Sequence, residues 1–122
     1  MAKILLVEDD TPLLRLYEGA LLEQHEVVAV ESTKTAIRAL EDYHPDVMVL
    51  DLNLPDAPGT VILQHLDANP QFADVQVVVM TGFAYYKNQN LPDAVKHVLS
   101  KPVTSSMLLR TVNMVVGSKT SV

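Results

Sequence analysis

Short apolar runs alternate with amphipathic stretches along the chain. The apolar runs predict five strands, at residues 4–7, 26–31, 46–52, 75–80 and 95–100. Apolar residues recur at helical spacing over residues 13–24, 33–43, 60–68 and 104–116. This alternation of strands and helices is typical of an α/β domain with a mostly parallel sheet.

Local signals predict where several of these elements begin and end. Thr11 followed by Pro12 indicates the start of the first helix, Ser32 or Thr33 the start of the second, and Pro45 its end. Residues 82–91 show no clear pattern, because a proline follows them and limits any helix there. The pattern predicts one domain over residues 1–117, followed by a tail or the start of a linker at 118–122.

Composition narrows the class of protein. The 122 residues, 48% of them hydrophobic, suffice for one compact core. The formal charge of −6 and the lack of a Lys/Arg run disfavour direct nucleic-acid binding. The chain has no cysteine, which excludes disulfides, thiolate metal ligands and a cysteine nucleophile. We expect a cytoplasmic protein without membrane contact, because no signal peptide or membrane-length apolar segment is present.

Polar residues that suit phosphate chemistry follow four of the predicted strands. Glu8 and Asp9 follow the first strand, Asp51 the third, Thr81 the fourth and Lys101 the fifth. The carboxyl ends of parallel strands share one edge, where neighbouring carboxylates repel one another unless a cation joins them. Mg²⁺ favours carboxylates together with phosphate oxygens, and a carboxylate can become an aspartyl phosphate. A hydroxyl and an ammonium group can bind the remaining phosphoryl oxygens.

Four segments carry a resemblance to a known family. They are KILLVEDD at 3–10, VLDLNLPDAPG at 49–59, VVMTG at 78–82 and LSKP at 99–102. In this order and spacing they resemble the receiver domain of response regulators in two-component signalling, over nearly the whole chain. The resemblance implies a flavodoxin-like, doubly wound sheet of five parallel strands in the order 2-1-3-4-5, with helices on both faces.

The resemblance also implies a phosphoacceptor and a metal site. Asp51 would accept a phosphoryl group from a sensor histidine kinase or phosphotransfer protein in a Mg²⁺-dependent reaction. Asp9 would bind the metal directly, Glu8 mostly through water, and Asn53 through its backbone carbonyl. Such a domain is not an enzyme acting on other molecules, because it catalyses only its own phosphorylation and dephosphorylation.

The remaining motif residues would contact the phosphoryl group and support a switch. Thr81 would hydrogen-bond the phosphoryl group, and Lys101 would pair with Asp51 and then with the phosphate. The Lys101–Pro102 bond is typically cis in this family, and Gly59 matches the glycine of a tight loop. Phosphorylation would change the conformation that a partner or output domain recognises, and a homodimer is left open.

The chain also departs from the family pattern. Val98 stands where receiver domains usually carry Tyr or Phe, and alternation along the strand predicts that His97 faces the opposite side. The segment between Thr81 and Lys101 is short, so we expect a reduced, displaced or disordered fourth helix. These departures predict a weakened or unusual switch on that face, or signalling through the loop after Asp51 or a dimer contact.

Several other interpretations remain. The domain could be a binding module that needs no phosphorylation, although the complete set of site residues argues against this. A metal-dependent phosphatase would need an acidic residue where Asn53 stands. Asp9 and Asp10 also fit a helix cap. The four histidines share no metal-ligand spacing and are interpreted as surface or packing residues, and Met48, Met80, Met107 and Met114 are interpreted as core residues.

Overall fold

Five strands form one parallel sheet. The computed structural model describes residues 2–82 and 91–120, without the side chains of 118–120. The strands are β1 Lys3–Val7, β2 Glu26–Val30, β3 Val47–Asp51, β4 Gln76–Thr81 and β5 Val95–Ser100, in the order β2-β1-β3-β4-β5. The predicted fold and strand order are therefore confirmed. The direction of winding reverses between β1 and β3, which makes the carboxyl ends of these two strands the expected ligand site.

Helices cover both faces of the sheet. They are α1 Thr11–Leu22, α2 Thr33–Tyr43, α3 Thr60–Ala68 and α4 Ser105–Thr120, with a short 3₁₀ turn at Pro70–Phe72. Alternate strand residues point to opposite faces, so Leu5 packs in the core under α2 and α3, whereas Leu6 packs in the core under α1 and α4. Within the described residues, every helix is too short or too polar to cross a membrane.

The helix ends differ in part from the predicted ones. The first helix is capped by Asp10, one of the predicted alternatives, and not by Thr11, since the Asp10 carboxylate accepts a hydrogen bond of 3.1 Å from the Leu13 amide. Ser32 caps the second helix as predicted. The last helix continues to Thr120, four residues further than predicted. Gly117 does not end it, because this glycine lacks the positive φ typical of a helix C-cap.

The prediction of a methionine-filled core is half wrong. Met48 and Met80 are fully buried in the sheet, whereas Met107 and Met114 on α4 are 42% and 55% exposed. The inner face of α4 is filled at helical spacing by Leu108, Val112 and Val115. The two exposed methionines fall on the outer face, which the sequence pattern alone did not separate from the inner one.

A bulge in β5 determines where its side chains point. Pairing with β4 shifts by one residue between Val77 and Val78, which leaves Lys96 as the extra residue. Beyond the bulge, Val98 packs in the core under α2 and α3, and His97 lines a pocket beside α4. The prediction that these two neighbours face opposite sides is confirmed. The predicted change in the fourth family helix falls on residues 83–90, outside the described residues.

Candidate phosphoryl and metal site

Three carboxylates meet at the carboxyl edge of the sheet. Glu8 and Asp9 directly follow β1, and Asp51 ends the neighbouring strand β3. One carboxylate oxygen from each lies within 4.8 Å of the others. Glu8 and Asp51 are buried and Asp9 is exposed, so the cluster opens to solvent on one side. Such a set of oxygen ligands suits a hard divalent cation that keeps some of its water.

Among the described residues, the ammonium group of Lys101 reaches into this cluster from the end of β5. The Nζ atom of Lys101 lies 2.9 Å from Asp51 Oδ2 and 3.1 Å from Glu8 Oε1. Its backbone amide donates to the Thr81 carbonyl at 2.8 Å, and the Lys101–Pro102 peptide bond is cis. Lys101 therefore contacts two of the three predicted acidic residues.

The three carboxylates carry more charge than the Lys101 ammonium can neutralise, which favours the binding of a cation. The pKa of Glu8 is raised to about 7, first by burial and then by the neighbouring Asp51, against the opposing effects of the Asp10 amide and Lys101. Burial alone lowers the pKa of Lys101, but its hydrogen bonds and charge interactions with Asp51 and Glu8 raise it overall. The Lys101 ammonium thus does not offset the burial of the Glu8 carboxylate, and the residues present fit a divalent metal ion.

Two carboxylates hold the loop after β3, Asp51 at its start and Asp56 further along. The Asn53 amide donates to Asp51 Oδ1 at 3.0 Å, so each oxygen of this carboxylate has a fixed partner. Further along, the Asp56 carboxylate accepts from the amides of Thr33 and Lys34, at 2.9 and 3.0 Å, in the first turn of α2. These amides lower the pKa of Asp56. Sequence reasoning missed this anchor, since its partners lie more than 20 positions away.

Gly59 closes the same loop against the end of β3. Its amide donates to the Leu52 carbonyl at 2.8 Å. A Cβ atom at this position would lie 2.8 Å from Leu52 Cα and 2.9 Å from the Asp51 carbonyl oxygen. Its φ of −59° is open to any residue, so the loop requires glycine because of the close approach of two backbone segments.

Thr81 lies at the same edge, at the end of β4. The preceding residue Met80 pairs with Asp51, and Thr81 itself is 2% exposed. The structure thus gathers the predicted site residues at the ends of β1, β3, β4 and β5. An acidic pocket with one bridging lysine and a nearby hydroxyl suits metal-assisted phosphoryl transfer to a carboxylate.

Comparison with known proteins agrees with this geometry. The family model described as "Response regulator receiver domain" matches residues 4–113. A protein of Vibrio cholerae serotype O1 named "Probable cyclic di-GMP phosphodiesterase" is 26% identical over 121 residues, which cover 97% of this chain and 27% of that protein. The chain thus spans little more than a quarter of that relative's length.

Solved structures show the same fold. A sensor protein from Polaromonas sp. JS666 is 26% identical and has a TM-score of 0.84, covering 96% of this chain and 97% of that one. The response regulator TrrA of Thermotoga maritima, in complex with Mg²⁺ and BeF, has a TM-score of 0.80 at 20% identity, covering 94% and 99%.

The family match extends over most of the chain and includes every residue of the pocket. Receiver domains bind Mg²⁺ at an acidic pocket, which Glu8, Asp9 and Asp51 form here. They interact in general with histidine kinases and phosphotransfer proteins. The chain belongs to the response regulator receiver domains, the phosphoacceptor modules of two-component signalling.

Proposed function

We propose that Asp51 accepts a phosphoryl group from the phosphohistidine of a sensor histidine kinase or phosphotransfer protein. The observation that carries this proposal is the placement of Asp51, which is buried, clustered with two further carboxylates and bonded to an ammonium group. A carboxylate in this setting can attack phosphorus while charge on the phosphoryl oxygens is neutralised by its surroundings. The proposed location of this reaction is the cytoplasm.

Each neighbouring residue has a proposed role. Asp9, Asp51 and the Asn53 carbonyl would hold Mg²⁺ directly, and Glu8 would do so through water. When bound, the metal ion supplies positive charge to the acceptor and the incoming phosphoryl group. The Mg²⁺ and BeF bound to the Thermotoga response regulator support a cation and a phosphoryl-like group at this kind of site.

The groups opposite the metal would bind the transferred phosphoryl group. Lys101 already donates to Asp51 Oδ2 and would donate to a phosphoryl oxygen after transfer. The Thr81 hydroxyl, buried at the end of the next strand, would bind another oxygen. With these groups in place, the domain catalyses its own phosphorylation by small donors and the hydrolysis of its own aspartyl phosphate. The resulting change is read by a partner or output domain.

Phosphorylation by a small donor tests the proposal. The protein is incubated with acetyl phosphate and Mg²⁺, and its intact mass is measured. We expect a gain of one phosphoryl group, lost on addition of EDTA before the donor and absent in Asp51→Asn. Asp46→Asn is the matched control, because Asp46 precedes the same strand at its opposite end and bonds the Lys3 amide at 2.9 Å.

Two results would overturn the proposal. The first is an unchanged mass of the unmodified protein under conditions in which Mg²⁺ is shown to bind. The second is an equal gain of mass in the Asp51→Asn variant, which would place the phosphoryl group elsewhere. A binding module that works without phosphorylation would give the first result.

A further inference from the structure

A buried tyrosine links α1 to the loop that carries Lys101. Tyr17 is 1% exposed and packs in the core under α1 and α4. Its hydroxyl donates a hydrogen bond of 2.7 Å to the backbone carbonyl of Val103, which lies 86 positions away in the chain. Val103 is itself buried, two residues after Lys101. The hydroxyl therefore fixes the backbone close to the residue that would bind the phosphoryl group.

The loop is anchored on both sides of this contact. On one side, the Lys101 amide donates to the Thr81 carbonyl at 2.8 Å. On the other side, the hydroxyl of Thr104 accepts from the Met107 amide at 3.1 Å and so caps the start of α4. The Val103 carbonyl lies between these two anchors, and the tyrosine contributes the bond that ties it to α1.

The raised pKa of the Tyr17 hydroxyl keeps it protonated, so that it can donate its hydrogen bond. Burial raises the pKa of Tyr17, and the carboxylates Glu8 and Asp51 raise it further against the opposing charge of Lys101. The hydroxyl consequently keeps its proton at neutral pH and continues to donate.

We propose that the Tyr17 hydroxyl is a positioning group that sets the Lys101 ammonium for the phosphoryl oxygen. The inference rests on the proposed role of Asp51. A lysine side chain is flexible, and a fixed backbone beneath it limits the positions that its ammonium can reach. The metal ligands follow β1 and β3, whereas the tyrosine bonds the loop after β5. Loss of the hydroxyl should therefore affect the phosphoryl group and spare the metal.

Two titrations separate these effects. Mg²⁺ alone, and then beryllofluoride in saturating Mg²⁺, are titrated into the protein and into Tyr17→Phe. We expect the Kd for Mg²⁺ to stay unchanged and the Kd for beryllofluoride to rise about three- to tenfold, because the ammonium is positioned less firmly for the bound group. Tyr43→Phe is the matched control, because its hydroxyl bonds Glu26 at 2.9 Å and lies outside the acidic pocket. Both affinities should be unchanged in it.

Loss of stability in Tyr17→Phe is distinguished from loss of affinity by a separate measurement. Tyr17→Phe leaves the buried Val103 carbonyl without its hydroxyl donor, so its thermal unfolding is measured first. Should it unfold too readily, the titrations are repeated with Gly19→Ala added to both proteins. Gly19 lies on the same helix, where an added Cβ atom would meet nothing within 4 Å, and alanine stabilises a helix relative to glycine.

The outcomes distinguish the inference from the proposed function. An unchanged Kd for beryllofluoride in Tyr17→Phe overturns the positioning role alone. An equal loss of Mg²⁺ and beryllofluoride affinity also overturns it, because that pattern indicates general loosening of the pocket. Failure of the unmodified protein to bind beryllofluoride in Mg²⁺ overturns the proposed function, and the inference with it.

Discussion

The two ends of the sheet bury polar groups in opposite ways. At the amino end, His25 is buried between the Ala2 amide at 3.1 Å and the Asn113 side chain at 2.7 Å. At the carboxyl end, Glu8 and Asp51 are buried with one shared ammonium and with backbone amides. The first end joins a histidine to uncharged partners, and the second crowds charges of one sign.

The polar groups at the amino end of the sheet therefore stabilise the fold, whereas those at the carboxyl end favour binding of a cation. Hydrogen bonds to fixed protein partners stabilise the fold under all conditions in which their protonation states hold. Crowded carboxylates repel one another and destabilise the metal-free fold. A cation that binds them relieves this repulsion and so stabilises the fold. We therefore expect substitutions at the carboxyl end to respond to Mg²⁺ and those at the amino end to be indifferent to it.

Removal of the bridging ammonium should have the largest effect. Lys101→Met leaves two buried carboxylates facing each other, and we expect the free energy of unfolding to fall by about 3–4 kcal/mol in the absence of metal. Chemical denaturation with and without saturating Mg²⁺ measures this loss. The metal should stabilise the variant more than the unmodified protein.

Lys3→Met is the control for that comparison. Lys3 lies at the amino end, where its Nζ contacts the Tyr43 carbonyl at 3.3 Å on an exposed surface. Its substitution should change stability by less than about 1 kcal/mol, with or without metal. A Lys101→Met variant as stable as the control would contradict the electrostatic contrast between the two ends.

The pH dependence of stability should show the raised pKa of Glu8. Since the folded-state pKa is about 7, against an ordinary value of 4.5, the folded protein binds more protons than the unfolded chain between these values. The contribution of Glu8 to stability without metal should therefore be greatest below pH 4.5 and should fall as the pH rises to 7. The loss is on the order of 3 kcal/mol.

Glu8→Gln isolates this contribution, because other carboxyl groups titrate in the same experiments. The unfolding free energy of the unmodified protein should fall relative to that of Glu8→Gln as the pH rises from 5 to 8. Saturating Mg²⁺ should reduce this fall, since a cation favours the ionised form. A parallel pH course for both proteins would show that Glu8 ionises normally in the fold.

Substitution of Gly59 tests the packing beside Asp51. Gly59→Ala forces a Cβ against backbone atoms of Leu52 and Asp51, and we expect a loss of about 2 kcal/mol with weakened Mg²⁺ binding. Gly19→Ala is the matched control on an open helix surface and should gain up to about 1 kcal/mol. Thermal unfolding and calorimetric Mg²⁺ titration report both quantities. An unaffected Gly59→Ala variant would mean that the loop yields easily.

Substitution at the amino end should give the smallest and simplest effect. His25→Ala removes the hydrogen bonds to Ala2 and Asn113 and should cost about 1–2 kcal/mol of stability. Mg²⁺ affinity should remain that of the unmodified protein, and calorimetry measures it directly. A changed affinity would connect the two ends of the sheet, which the contrast between them does not anticipate.

The sequence predicted the parts of the structure that depend on local pattern. The helix at Thr60–Ala68 and the strand at Val95–Ser100 have the predicted bounds. The site residues could be located because parallel strands bring their carboxyl ends to one edge, which makes Glu8 and Asp51 neighbours without any knowledge of contacts. The receiver family and strand order followed from the motif residues and are confirmed.

Other features depend on contacts between distant residues and left no local signal. The hydroxyl bond from Tyr17 and the bonds from Asp56 to the first turn of α2 join separate parts of the chain. The sequence left Thr11 and Asp10 as alternative caps of the first helix, since both residue types favour that position and only the backbone geometry distinguishes them. Local pattern thus identified the chemistry of the pocket, and tertiary contacts determine how its parts are held.

A crystal structure of the protein with Mg²⁺ and beryllofluoride would test the central claim most directly. We predict beryllofluoride on a carboxylate oxygen of Asp51, contacted by Lys101, with the metal bound by Asp9, Asp51 and the Asn53 carbonyl. Beryllofluoride on another residue, or a metal ion bound away from these carboxylates, would contradict the account.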